Sequence, residues 1–431
     1  MRMSKLSRIM PLGLVIALLL IPGGVNGNND EPPPLPKTLR VCPQGPPSCH
    51  YSKIQEAIDA ARPNGIILIE AGTYLENLTI SKSLSLVATE PGTVRIQGKE
   101  PAIETITFDK AQGDFQVILE GLTILGGPPA REDEAHPLSP VCTEQNCPVG
   151  IDIRPEGSHS SLRLTLIDVQ VGPTESHGLF CGSEQRFTGS AYVHLFHSRF
   201  VDNDHGAILW LCRHRETVFR VDQTVFSGND FGLVISADAT DIEIKGTKLI
   251  GNNGYGVIVT SKDALHLTIT NSWFQNNDLG VGFAAPQAGK GLLNIRESYF
   301  INNFTGLNLG NILEEEPKDQ VVAHIEDSIF LGNHQYGLLL VNDYRLMIQN
   351  NTIQENGTGI MVRRSSNLLD ISDNVITHNK EWGVALYLPP CEDVDIPPPI
   401  VIEGEGNEIR DNGEGDLCPE DFNWPSNFRL P

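Results

Sequence analysis

Residues 265–283 read LHLTITNSWFQNNDLGVGF, and residues 291–309 read GLLNIRESYFINNFTGLNL, the same pattern 26 positions later. In each copy an alternating apolar segment leads to a large apolar residue, an asparagine three places on, a glycine, and a second alternating segment. The asparagine recurs at Asn203, Asn229, Asn252, Asn277, Asn303, Asn333, Asn356, Asn379 and Asn412, at intervals of 23 to 33 residues. Phe200, Phe226, Leu249, Phe274, Phe300, Phe330, Ile353, Ile376 and Ile409 precede it by three. Glycine follows each time, from Gly206 to Gly415. Weaker copies are legible upstream, around Val117–Ile124 and Leu162–Val169.

Alternation with period two means strands with one buried face. A unit near 23 residues cannot bury that face alone, but stacked units can, each strand bonding to its copy about 4.8 Å away. The asparagine then acquires a physical role, because it tolerates a left-handed bend and its amide can bond to the turns above and below. The sequence thus predicts an all-β chain, a right-handed parallel β-helix of about 10–12 coils, with handedness set by the crossover rule.

The chain has 431 residues with 31 Lys+Arg against 54 Asp+Glu, a net charge of −23. That acid excess argues against a nucleic-acid partner, since phosphate binding needs a cationic face. No 3.5 or 3.6 period is sustained, which excludes a helical bundle. Arg2, Lys5 and Arg8 precede an apolar run, Met10–Ile21, and a small-residue exit at Gly27. Residues 1–27 therefore read as a signal peptide, 28–39 as a Pro-rich linker, 40–420 as one β-helix domain and 421–431 as a C-terminal tail. Losing the three leader cations brings the mature charge to about −26. No transmembrane span is expected, and the product should be secreted or periplasmic.

Eight cysteines in an exported chain read as disulfides rather than free thiols, and the absence of a Cys-x-x-Cys pair weakens a metal site. Local spacing suggests Cys42–Cys49, Cys142–Cys147, Cys181–Cys212 and Cys391–Cys418; the last two intervals approximate one coil. At the front, Ser52 and Gln55 have capping-box spacing, and Ile54, Ala57, Ile58 and Ala61 share a helical stripe. An amphipathic helix there would cap the open solenoid end.

The run Tyr51-Ser52-Lys53-Ile54-Gln55-Glu56-Ala57-Ile58, followed by Ala71-Gly72-Thr73-Tyr74-Leu75-Glu76-Asn77, resembles the opening of pectin-lyase-like β-helix proteins. The later units resemble the generic repeats of that superfamily, found also in periplasmic copper-accessory proteins. The resemblance implies the fold, whereas activity varies among lyases, hydrolases, esterases, epimerases and non-catalytic adhesins. The Gln-Asp-Thr-Leu-like and Asp-Phe-x-Phe-Gly-like runs of pectin methylesterases do not occur here. Asp204-His205-Gly206 is only an echo of the Asp-Pro-His-Asp-like motif of alginate epimerases.

The resemblance places a catalytic cleft on the outward column of the strand before the asparagine turn. There Asp222, Glu243 and Glu326 could serve as acids or calcium ligands, with Lys245 or Arg296 as a base. The same residues alternate in sign between coils, as a structural ladder of ion pairs would. His194, His197, His205 and His214 cluster near Cys212, which reads as a copper site or as surface histidines; the mature chain offers only Met347 and Met361 as thioethers. Acidic runs at Glu132–Glu134, Glu314–Glu316 and Glu392-Asp393 read as solvated loops or Ca²⁺ sites, and no cofactor is required. A second outward column, Ile208, Val234, Ile258, Gly282, Asn308, Leu339, Met361 and Ala385, is apolar. It is either covered by chain or used for self-association or an extended ligand. Two functions remain open: a non-catalytic binding or surface protein, with polysaccharide as partner, and a polysaccharide lyase or glycoside hydrolase.

Overall fold

A computed structural model describes residues 38–99, 104–108, 114–126, 149–153, 161–181, 190–210, 216–236, 240–260, 265–284, 291–310, 321–341, 345–363, 365–387, 391 and 400–429. They lie within one compact unit, Pro36–Pro431. The signal peptide, most of the linker, Cys142, Cys147, Cys212, His214 and all three acidic runs lie outside the described residues.

The strands form three parallel sheets wound into a right-handed β-helix. A long-strand sheet has fourteen strands, from Thr38–Val41 to Ile400–Glu403. A short-strand sheet has thirteen, from Gly72–Leu75 to Glu408–Arg410, and a glycine-bearing sheet has thirteen, from Leu78–Ile80 to Gly415–Cys418. The chain visits the three in that order once per coil. One continuous apolar core fills the interior. Inside it Phe274, Phe300 and Phe330 stack with centroids 4.8 and 4.5 Å apart.

The repeated glycine lies in the third sheet. A Cβ on Gly280 would sit 2.4 Å from the Gly306 carbonyl oxygen and 3.1 Å from the Phe300 ring. No side chain fits between those rungs.

The asparagines sit buried at the turn between the short-strand and glycine-bearing sheets. Asn277 donates from Nδ2 to Leu249 O (2.9 Å) and Asn303 Oδ1 (3.0 Å), and its own Oδ1 accepts from Asn252 N and Nδ2. The left-handed bend falls elsewhere than the sequence suggested. The residue one place earlier has positive φ throughout, from Asp202 through Asn276 to Asp411, while the asparagine points its amide inward. A second inner ladder was not anticipated. At the turn after the long strand, Ser198, Thr224, Thr247, Ser272, Ser298 and Ser328 line up with Asn351, Asn374 and Asn407.

Helix α1, Ile54–Ala60, covers the N-terminal end with Ile54, Ala57 and Ile58 buried. The expected Ser52/Gln55 capping box does not form, because the helix begins later, with Lys53 at its cap and no side-chain bond there. Glu76 supplies the acceptors instead, taking Ile54 N at 2.9 Å and Gln55 N at 3.0 Å. Tyr74 beside it is buried and donates to Glu70 O; burial first, then Glu70 and Glu76, push its hydroxyl up to about 12.

Both ends of the domain extend past the expected limits. Thr38 and Leu39 already pair with Ile66 and Ile67, so the sheet starts inside the supposed linker. At the other end the supposed tail is a plug. Phe428 is 1 % exposed and packs against Trp424, and its carbonyl accepts from Asn407 Nδ2 at 2.7 Å. The described cysteines are all in disulfides, including Cys42–Cys49, Cys391–Cys418 and one from Cys181.

Candidate functional site

The long strands present outward columns in strict register. His194 faces Arg220, which faces Glu243; Phe196 faces Asp222, which faces Lys245; and Arg296 faces Glu326. The five candidate residues do not form one constellation. Lys245 and Arg296 are separated by the rung of Thr270, and Asp222 lies four rungs from Glu326, roughly 19 Å at the spacing of parallel strands. One sugar ring cannot meet them all.

Their partners are also set. Asp222 turns away from Lys245 and bonds His194 Nε2 at 2.8 Å. Glu243 meets Arg220 Nε at 3.2 Å, and Glu326 pairs with Arg296. Arg220 further reaches Asp241 at 2.5 Å, and Asp241 lies 3.3 Å from His266 Nδ1. Asp241 and His266 occupy a third outward column that sequence reasoning missed. Their outward placement could have been read from the alternation Asp241, Glu243, Lys245. The result is a dense half-exposed patch: His194 and Asp222 on one side, Arg220, Asp241, Glu243 and His266 on the other.

The histidine cluster is dispersed. His194 faces outward on the long-strand sheet, and His197 sits at the following turn, bonded to Gln223 at 2.6 Å. His205 lies on the glycine-bearing sheet, stacked on Phe231 and edge-on to His177. Its hydrogen bond holds the Asp204 carboxyl below the usual carboxylate range. Among the described residues no three His, Cys, Asp or Glu side chains are placed to hold a metal ion.

The apolar outward column of the glycine-bearing sheet divides in two. Leu339, Met361 and Ala385 are buried in a satellite cluster with Tyr336 and Cys418, against which Tyr387 and Cys391 pack. The Cys391–Cys418 disulfide ties that cover down, so this half is not available for self-association. Val234 and Ile258, nearer the middle, are half-buried. A groove of about 560 Å³ lies on the short-strand side of the early coils, lined by Arg95, Gln97, Thr123, Gln170 and Asp202 among others.

Comparison with known proteins agrees on architecture. A family model described as a right-handed β-helix region matches residues 289–416. No curated protein matches by sequence. Among solved structures, a point mutant of the periplasmic alginate epimerase AlgG is 13 % identical, covering 87 % of this chain and 81 % of that one at a TM-score of 0.40. Tailspike protein 3 of bacteriophage CBA120 is 12 % identical over 84 % and 55 %, with a TM-score of 0.45. A pectin methylesterase from Aspergillus niger is 12 % identical over 90 % and 89 %, with a TM-score of 0.28. No helix among the described residues is long and apolar enough to cross a membrane.

Proposed function

We propose that this right-handed β-helix of the pectin-lyase-like type is an exported, non-catalytic protein that binds a polysaccharide along its length. The observation that carries the reading is the pairing on the long-strand face. Asp222, Glu243 and Glu326 each face a base of a neighbouring rung, and the acids and bases are spread over several rungs rather than converging on one reacting atom. A carboxylate whose oxygens are engaged by an arginine or histidine of the next rung is not free to reach a substrate atom. Rung-to-rung ion pairs need no function beyond sheet stability. Export is supported by the basic and apolar leader and by the disulfides.

The enzymatic reading keeps one observation in its favour: the patch of His194, Asp222, Arg220, Asp241, Glu243 and His266 gathers three acids and three bases within a few rungs. One experiment separates the two. The purified chain is incubated with neutral and anionic polysaccharides, with Ca²⁺ and with chelator, and both retention and product are measured. Retention without new reducing ends or unsaturated sugars, unchanged by chelator, is the expected outcome. Product release that Glu243→Gln or Asp222→Asn abolishes would overturn the non-catalytic reading.

A further inference from the structure

The groove on the early short strands has its floor set by one proline. In every rung from Asn203 to Asn412 the left-handed bend falls on the residue just before the asparagine. In the coil that precedes them, Val171-Gly172-Pro173-Thr174 stands where its neighbour has Phe200-Val201-Asp202-Asn203, with Val171 paired to Phe200 and Thr174 to Asn203. Pro173 thus occupies the bend position, but its ring fixes φ at about −65°. The bend moves to Gly172, whose φ is +112°. The rungs on either side carry Leu125 and Val201 at that position. A Cβ on Gly172 would sit 2.1 Å from Val201 O, so the outward column has a gap that no side chain can fill.

We propose that this gap is a binding subsite for an acidic sugar unit, a ring bearing one carboxylate or sulfate; the proposal rests on the polysaccharide-binding function above and gives it a place and a charge. The site lies on a different sheet from the charged patch of the long-strand face. Its volume of about 560 Å³ is in the range of small-ligand clefts. The Gln97 and Gln170 amides and the Thr123 hydroxyl line it and can bond ring hydroxyls. Arg95 and Asp202 mark its two ends, three rungs apart, about 14 Å along the stack. At that distance they do not pair with each other. The guanidinium is left to take the ligand's anion in a two-pronged contact, and the carboxylate to accept from a hydroxyl.

The sign of the ligand is decided locally. On the long-strand face Arg220 and Arg296 are already held by carboxylates. Arg95 is exposed and makes no ion pair among the described residues; nor does Arg199, which continues its column past Thr123 and Gln170. Lys248 stands two rungs further on, and none of the short strands from Arg95 to Lys248 carries an acid. Acids elsewhere on the molecule are screened beyond about 8 Å at physiological salt, so the net negative charge does not bar an anion from the Arg95 end.

The test is affinity electrophoresis of the full chain in gels containing polygalacturonate, carrageenan or hydroxyethylcellulose, which offer carboxylate, sulfate and no charge. One anionic gel or both should retard the wild type. Arg95→Gln should weaken that retardation at least about tenfold, and Arg95→Lys should keep part of it. Thr123→Tyr, which fills the middle of the groove, should abolish it. Arg345→Gln removes the same charge from the long-strand sheet and should change nothing. Thermal melting checks the fold of each variant, and the exposed Arg95 decides the matter if Thr123→Tyr melts early. The anionic gel that responds to Arg95→Gln identifies the anion. Anionic retardation that Arg95→Gln leaves intact, or that Arg345→Gln weakens equally, would overturn the subsite and leave polysaccharide binding standing. Retardation by the neutral gel alone would do the same. Retardation by no gel would remove both proposals.

Discussion

Two ladders run through the interior of the same β-helix, at different turns, and they are built differently. At the turn entering the glycine-bearing sheet every rung from Asn203 to Asn412 supplies an asparagine. At the turn leaving the long-strand sheet the rungs use serine or threonine up to Ser328 and asparagine from Asn351 onward. An amide has two donors and can serve its neighbours on both sides. Each ladder asparagine from Asn203 to Asn379 donates back to a carbonyl of the preceding rung and forward to the next amide, at 2.8–3.4 Å. A hydroxyl has one donor, and here it is used locally: Ser272 Oγ donates to Thr270 O, two residues back. At the serines what crosses to the next rung is one longer bond, such as Thr247 N to Ser272 Oγ at 3.2 Å, while the threonine hydroxyls also reach back one rung, Thr247 Oγ1 to Val221 O at 3.1 Å and Thr224 Oγ1 to Leu195 O at 3.4 Å. The amide ladder therefore ties coils together at each rung, whereas the serines of the hydroxyl ladder mainly hold the bend.

That contrast can be broken by substitution, beginning at the amide ladder. Asn277→Leu removes the four side-chain bonds of that rung and strands Asn252 N and Nδ2 in the interior. It should cost about 3 kcal/mol, since buried groups left unsatisfied add their desolvation to the lost bonds. A melting temperature equal to wild type would show that the ladder carries no weight. Asn412→Leu, half-buried on the last rung, should cost about 1 kcal/mol because water can replace part of what is lost. Its ratio to the central variant, measured in one urea titration series, reports how far burial amplifies each bond.

Ser272→Ala should fall below about 1 kcal/mol, with only Thr247 N losing an acceptor. If it proves as damaging as Asn277→Leu, the division of labour between the two turns is wrong. The smallest effect has the opposite sign. Ser328 sits directly below Asn351, so Ser328→Asn would extend the amide run by one rung. Scanning calorimetry should find it stabilised by a few tenths of a kcal/mol; a clear loss would mean the pocket at that rung admits only a hydroxyl.

The coil, its asparagines and its glycines were legible because stacked rungs repeat one burial pattern at fixed offsets. The stacked Trp273 and Tyr299 fall on neighbouring short strands whose two outward positions are too few to show a pattern within one rung. The hydroxyl ladder was hidden for a different reason: Ser and Thr are common at turns of every kind, and only the folded chain aligns Ser198 with Thr224 and Ser272. Charges were half legible. Register correctly sets Asp222 opposite Lys245, but register fixes Cα neighbours and leaves open where a carboxylate turns, and this one turns to His194. Glu76 as the cap of α1 could not be read from local spacing, because it reaches the helix from about one coil away.

The two end pieces, α1 and the aromatic plug at Phe422, Trp424 and Phe428, gain a further meaning if the stack is regarded as a linear polymer. Its monomer is the coil, its propagation step is the docking of one more identical coil, and every interior rung is a competent growing end. A polymer of that kind has no intrinsic length. The helix and the plug are chain terminators: neither repeats the monomer, so neither offers the next unit a template. They turn an open-ended filament chemistry into a rod of defined length.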